Sequence, residues 1–190
     1  ARLDLTNAEP CGIITYMKKK DNNMKKAFVF DFDDTLATTD CKVLVRDMKR
    51  GQMEAVIGSL TPQHFNTHKL EDGCEYDFSE FRSAEFIHNA NPTKLIEFAK
   101  EVYDEGHSVY VLTARSDNVA EAITSWLLDF NIKPVKVFGV GRDDKKCDIA
   151  AEKQKVLTTL NQILDVVYFY DDDQHNIDLA NQVGIKTYLV

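Results

Sequence analysis

Apolar runs of strand length alternate with one-faced helical stretches through most of this chain. Lys26 to Phe30, Ser108 to Thr113, Val135 to Phe138, Val166 to Tyr170 and Lys186 to Leu189 are short, rich in β-branched and aromatic residues, and read as buried strands. Between them the apolar positions recur at helical spacing. Leu95, Phe98, Ala99 and Val102 share one face of a helix that Asn91-Pro-Thr opens and Gly106 stops. Val119, Ala122, Ile123, Trp126 and Phe130 share a second, with Asp117 as its expected cap. Leu157, Leu160 and Leu164 mark a third, and a fourth over Asn176 to Val183 ends at Gly184. Strand and helix in turn predict an α/β fold, a three-layer Rossmann-like arrangement with helices on both faces of a parallel sheet.

The acidic residues fall at particular places in that pattern. Asp31 and Asp33 follow the first strand in Phe28-Val-Phe-Asp-Phe-Asp-Asp-Thr-Leu36, and Asp172 follows a later one in Tyr168-Phe-Tyr-Asp-Asp-Asp173. Open parallel sheets bind ligands beyond the carboxyl ends of their strands, where Asp31, Thr113 and Asp172 all lie. Any one of these aspartates alone is an ordinary strand-closing turn residue. The spacing Asp-x-Asp-x-Thr argues otherwise, because anions gathered at one point repel and call for a cation. Asp31 is placed to attack a phosphorus or carbon centre and carry the covalent intermediate. Asp33, two residues on where the chain turns out of its strand, can protonate the leaving oxygen and then activate water. A phosphoryl substrate brings its own negative charge, so a magnesium ion must bridge it to the attacking carboxylate, and Asp172 would complete the metal shell.

These residues resemble the motifs of the haloacid dehalogenase superfamily, most of whose members are magnesium-dependent phosphohydrolases. The resemblance runs from about Lys25 to Val190 and rests on short motifs in order. Asp31-Phe-Asp33-Asp-Thr35 implies Asp31 as nucleophile, Asp33 as general acid/base and Thr35 as a supporting, substrate-side residue. Val109-Tyr-Val-Leu-Thr113 implies that Thr113 bonds a phosphoryl oxygen, with Arg115 close by as a second substrate contact. Tyr170-Asp-Asp-Asp-Gln-His-Asn176 looks like a paired-aspartate metal motif, so the implied metal set is Asp31, Asp33, Asp171 and Asp172. The family also needs a lysine upstream of the last acidic strand, and this chain offers Lys145, Lys146, Lys153 and Lys155. Its distance from Asp172 and the leucines that follow at helical spacing favour Lys153, with Lys146 next. The Thr113-Ala-Arg115 and Tyr170-Asp-Asp172 pattern is also similar to the phosphatase domains of bacteriophage polynucleotide kinases, although no P-loop G-x-x-x-x-G-K-[ST] occurs here. The implied substrate is a nucleotide, a small phosphorylated metabolite or a nucleic-acid 3′-phosphate end. A non-catalytic binding module on the same fold and a haloacid dehalogenase are the alternatives.

Residues 37–90 break the alternation and are expected to form a small insertion after the first strand, a flap over Ala37 to Val45 followed by helical pieces such as Met53 to Ile57 and Phe78 to Ile87. Residues 24–190 form the expected catalytic domain, and residues 1–23 an N-terminal extension with disorder as one expectation for it. Of the 190 residues 44% are hydrophobic, enough to bury the core of one such domain. With 23 basic and 31 acidic residues the net charge is −8, which opposes a broad nucleic-acid-binding surface but not the capture of one strand end. No apolar stretch approaches the roughly 20 residues that cross a bilayer, so no membrane partner is expected. Four scattered cysteines without a C-x-x-C pair suggest a reducing, cytoplasmic setting. His64, His68 and Cys74 are compatible with a zinc site, but their turn-rich surroundings favour surface or substrate-facing histidines.

Overall fold

A computed structural model of the chain describes residues 25–48, 55–65, 67–142 and 148–190. Its centre is a five-stranded sheet in the order β10-β9-β1-β7-β8, formed by Ala27–Phe30 (β1), Ser108–Ser116 (β7), Lys136–Gly141 (β8), Val167–Asp171 (β9) and Lys186–Leu189 (β10). Every pairing in it is parallel. β1 lies in the middle, with Phe30 opposite Val111 on one side and Tyr170 on the other. All four of its residues are buried, which suits a continuous apolar run covered on both faces.

Two aliphatic and aromatic clusters divide the core by face. Phe28, Phe30, Tyr168 and Tyr170 point to one side and pack with Ile96, Ala99, Val102, Ile123, Trp126 and Leu127. These come from helices Leu95–Asp104 (α3) and Ala120–Asp129 (α4). Ala27, Val29, Leu112 and Phe169 point to the other and pack with Leu157, Leu160, Ile177 and Ala180. Those belong to Ile149–Ile163 (α5) and Gln174–Gln182 (α6). Alternate residues of each strand thus feed opposite layers, as the pleat requires.

The helix limits follow local chemistry. Asp148 caps α5 by accepting from the Ala151 N–H at 3.1 Å, and Asp173 caps α6 by accepting from His175 N–H at 2.8 Å. Gly106, just beyond α3, has φ +84°, a conformation that costs glycine little and side-chain-bearing residues much. Asp117 does not cap α4 as expected. It heads a 3-10 turn at Asp117–Val119, and its carboxylate instead accepts from the Gly139 N–H at 3.4 Å, tying this turn to β8.

The insertion departs further from its sequence reading. Ala37–Thr38 (β2) does not continue into a flap; it pairs antiparallel with Asn91–Pro92 (β6) and closes the neck of the insertion. Beyond that neck, Val43–Asp47 (β3) pairs on one side with Ala55–Leu60 (β4) and on the other with Cys74–Asp77 (β5). Residues 55–57, expected in a helical piece, are therefore strand, held by an antiparallel ladder to β3. The short helices Pro62–Phe65 (α1) and Ala84–His88 (α2), with a 3-10 turn at Ser79–Arg82 between them, complete the segment. Phe65, Tyr76, Phe78 and Phe81 form its internal aromatic contacts. The expected N-terminal extension lies outside the described residues.

Candidate active site

The end of β1 is where the chain's acidic residues meet its buried cations. Asp31 follows the last residue of β1, and its N–H still donates to Tyr170 O at 2.9 Å, so the sheet ladder fixes its backbone. Phe32 O then accepts from both Leu36 N–H at 3.0 Å and Ala37 N–H at 2.9 Å, folding residues 32–37 into a tight turn. Asp34 takes φ +55° within it. This turn returns Thr35 beneath the site, where its hydroxyl donates to Asp172 Oδ1 at 3.4 Å and its carbonyl accepts from the Thr93 hydroxyl at 2.5 Å.

Lys153 reaches the same place from α5. Its ammonium lies 2.6 Å from Asp31 Oδ1 and 2.7 Å from Asp171 Oδ2, and its side chain is 3% exposed. Asp171, the last residue of β9, is wholly buried and accepts twice more from Asn176 Nδ2, at 2.9 and 3.1 Å, and once from Asp173 N–H at 2.9 Å. Four donor contacts on one carboxylate make it a fixed anion that holds Lys153 towards Asp31. Burial is the main force raising the Asp31 carboxyl well above its ordinary range, opposed by Lys153 and reinforced by the charges of Asp171 and Asp33. Burial penalises the Lys153 ammonium too, but Asp31 and Asp171 outweigh it and raise its pKa. Asp172 is pushed up to about 6 by burial and by repulsion from Asp171. The three carboxylates share one lysine, so negative charge is left over.

Asp33 meets different company. Arg115 grips it bidentately, Nε to Oδ2 at 2.8 Å and Nη2 to Oδ1 at 2.7 Å, and Thr39 donates its hydroxyl to Oδ1 at 3.1 Å. Arg115 lies two residues past Thr113 in β7, with its own N–H donating to Thr113 Oγ1 at 3.1 Å. Its guanidinium continues outward to Phe81 O at 2.9 Å, Thr39 Oγ1 at 3.1 Å and Cys41 Sγ at 3.3 Å. The side chain is 1% exposed, so the substrate contact expected of it is not what surrounds it. Thr113 is buried at the same end of the sheet.

The cation-binding potential lies with part of the expected set. Asp31, Asp171 and Asp172 each offer an oxygen within 4.8 Å of the others, and among the described residues this is the group so arranged. An all-carboxylate donor set with surplus negative charge suits a hard divalent cation such as magnesium. The Asp33 carboxylate is outside that group, turned to Arg115. His64, His68 and Cys74 form no such group among the described residues; His64 Nδ1 is 3.2 Å from the Thr61 hydroxyl and His68 Nδ1 2.9 Å from the Tyr76 hydroxyl. Of the alternative lysines, Lys155 sits on the exposed face of α5 and pairs with Glu152 at 2.6 Å, and Lys145 and Lys146 lie outside the described residues. Asn176 was legible only as a residue one turn past the acidic strand, and its role as the amide donor to Asp171 emerges from the packing of α6.

The fold matches solved structures at low identity. A chain in a structure of the Pnkp1/Rnl/Hen1 complex superposes with a TM-score of 0.55 at 16% identity, over 90% of this chain and 47% of that one. A second structure, of the Pnkp1/Rnl/Hen1 RNA repair complex, gives 0.53 at 14%, over 90% and 44%. This chain thus spans less than half the length of those chains. A candidate phosphatase from Clostridium difficile gives 0.54 at 19%, over 87% of this chain and 84% of that one. A haloacid dehalogenase-superfamily hydrolase of subfamily IA from Geobacter sulfurreducens gives 0.51 at 11%, over 87% and 89%. No family model and no curated protein sequence matches the chain.

Proposed function

We propose that this chain, whose fold is haloacid dehalogenase-like, is a magnesium-dependent phosphomonoester hydrolase working through an aspartyl-phosphate on Asp31. The observation that carries the reading is the buried Lys153 ammonium between Asp31 and Asp171 at the carboxyl edge of the sheet. A structural core rarely keeps two carboxylates and one ammonium out of water, because desolvation can cost more than their attraction returns, so such a cluster points to a functional site.

In the first step an oxygen of Asp31 attacks phosphorus, forming an O–P bond as the bond to the leaving oxygen breaks. Lys153 engages Oδ1, which favours Oδ2 as the attacking atom. Asp33 delivers a proton to the departing oxygen. In the second step Asp33 takes a proton from water, the water oxygen attacks phosphorus, and Asp31 and inorganic phosphate are released. Thr113, buried at the same end of the sheet, would donate to a phosphoryl oxygen, and Thr35 supports Asp172. Asp31, Asp171 and Asp172 would hold the magnesium, which supplies positive charge against the phosphoryl oxygens.

The substrate is a nucleotide, a small phosphorylated metabolite or a nucleic-acid 3′-phosphate end. The similarity to a chain of an RNA repair complex favours testing the last. Among the described residues no helix is long and apolar enough to cross a membrane. The free thiols of Cys41 and Cys74 suit the reducing, cytoplasmic setting we propose. The test is phosphate release from an aryl phosphate, mononucleotides, sugar phosphates and 3′-phosphorylated oligonucleotides, with magnesium or chelator. Magnesium-dependent turnover that disappears in Asp31→Asn is the expected result. Folded protein that binds magnesium and turns over no phosphoester in the panel would count against a phosphatase.

A further inference from the structure

Arg115 is poorly placed to bind a substrate and well placed for another task. One edge of its guanidinium, Nε and Nη2, holds both oxygens of Asp33. The remaining contacts go to two separate segments of the insertion: Nη1 to the Phe81 carbonyl, and Nη2 to the Thr39 hydroxyl and the Cys41 thiol. Its plane is flanked by aromatic rings, with Cζ 5.2 Å from the centroid of Phe81 and 5.8 Å from that of Phe32. The forked, planar donor set of arginine fits this double duty, whereas a lysine has one nitrogen with which to reach both sides. Cys41 also donates to the Glu80 carbonyl at 3.5 Å, so the two insertion segments are joined beside the same guanidinium.

We infer that Arg115 is a positioning residue that holds the Asp33 carboxylate at the site and fastens the insertion to it, so that protonation of the leaving group depends on how the insertion is seated. This rests on the phosphatase reading, with Asp33 as acid/base. An acid displaced by about 1 Å loses on the order of 10²-fold in rate. The loss falls on substrates that need proton donation most.

A double-mutant cycle tests this. Turnover of an aryl phosphate with a good leaving group and of an alkyl phosphate with a poor one is measured with magnesium for wild type, Asp33→Asn, Arg115→Gln and the double variant. The expected result is a loss in Arg115→Gln of about 10²-fold with the poor leaving group and a much smaller loss with the good one. In the Asp33→Asn background the Arg115 substitution should cost nothing further, because the group it positions is already disabled. The limb of the pH–rate profile lost in Asp33→Asn should also move in Arg115→Gln. Additive losses, or equal losses with both leaving groups and an unmoved profile, would overturn the inference while leaving the phosphatase intact. Wild type inactive on both substrates would overturn the phosphatase reading itself. Should Arg115→Gln lack a cooperative unfolding transition, Arg115→Lys, which keeps the charge and loses the fork, carries the same comparison.

Discussion

Asp31 and Asp33 stand two residues apart and meet opposite surroundings. Asp31 is held from below by Lys153 on α5, itself held by Asp171 at the end of β9, so every part of its support is sheet or long helix. Asp33 is held by Arg115 and Thr39, and Arg115 in turn by Phe81 and Cys41 of the insertion. The chain turns out of its strand between the two, and Phe32 is buried there against Trp126. A nucleophile wants an unmoving scaffold, because the attack distance is the same for every phosphoester. A proton donor to the leaving group wants to answer to what the leaving group is. Under the proposed function, with Asp31 as nucleophile and Asp33 as proton donor, this division of support between core and insertion is the one those two tasks would call for.

Substituting each aspartate gives the sharpest break in the comparison. Asp31→Asn should abolish turnover of good and poor leaving groups alike, by on the order of 10⁶-fold, the scale of losing a covalent nucleophile. Asp33→Asn should cost about 10²–10⁴-fold, graded towards poor leaving groups. Phosphate release across a series of aryl and alkyl phosphates checks both. A graded loss in Asp31→Asn, or a uniform one in Asp33→Asn, would exchange or dissolve the assigned roles.

The support of Asp31 can be broken separately. Lys153→Met leaves Asp31 and Asp171 facing each other without their shared cation, and removing one side of a buried ion cluster costs about 3–5 kcal/mol. Urea unfolding of the metal-free protein should show that loss, and added magnesium should restore part of it by binding the folded state. An unchanged midpoint would mean that the lysine does not hold the site together.

The layers, and the meeting of Asp31 with a lysine from the helix before β9, were legible in the sequence; Asp33 was marked there too, but its pairing with Arg115 was not. The sheet strands, α3 and α6 follow apolar periodicity and stop signals that are local, so their limits shift by only a few residues between expectation and structure. Val56 and Ile57 in β4 are about half exposed, so this strand lacks the one-sided burial that would have announced it. Its identity comes from pairing with β3, and that of β2 from pairing with β6 across the whole insertion. Arg115 is 82 residues from Asp33, and no spacing rule links an arginine past one strand to the acid past another. Proximity to Thr113 suggested a substrate contact; the fork that faces Asp33 is a fact of tertiary packing.

Acid should weaken the metal side. Asp172, raised to about 6 chiefly by burial and then by Asp171, binds a proton that competes with the cation. Magnesium affinity should therefore fall as pH drops below about 6, approaching tenfold per unit for one displaced proton. The sign for the metal-free protein is opposite. A carboxyl whose folded pKa is raised takes up its proton more readily in the native state. This contribution therefore favours the fold below the ordinary value of 3.8 and is progressively lost as pH rises through about 6. Calorimetric titration with magnesium at pH 5 and pH 7.5 checks the first, and thermal unfolding in chelator over the same range the second. Equal affinity at both would place the cation away from Asp172.

The smallest expected effect concerns Asp34, inside the turn that joins the two aspartates to β2. Asp34 holds φ +55°, where a side chain is generally strained by about 1–2 kcal/mol, aspartate less than most, and glycine is not. Its carboxyl is raised by burial and by the charge of Asp33, so it also adds repulsion to a crowded site. Asp34→Gly relieves both, against the extra freedom glycine gives the unfolded chain, about 0.4–1 kcal/mol. A net gain on the order of 0.5–1 kcal/mol should appear as a raised unfolding midpoint in chelator. The gain should shrink with magnesium present, because the cation already relieves the repulsion that the substitution removes. A stability loss in both conditions would mean that Asp34 has a partner in the folded protein worth more than its strain, and the acidic turn would then belong to the support of Asp33 as well as to its neighbourhood.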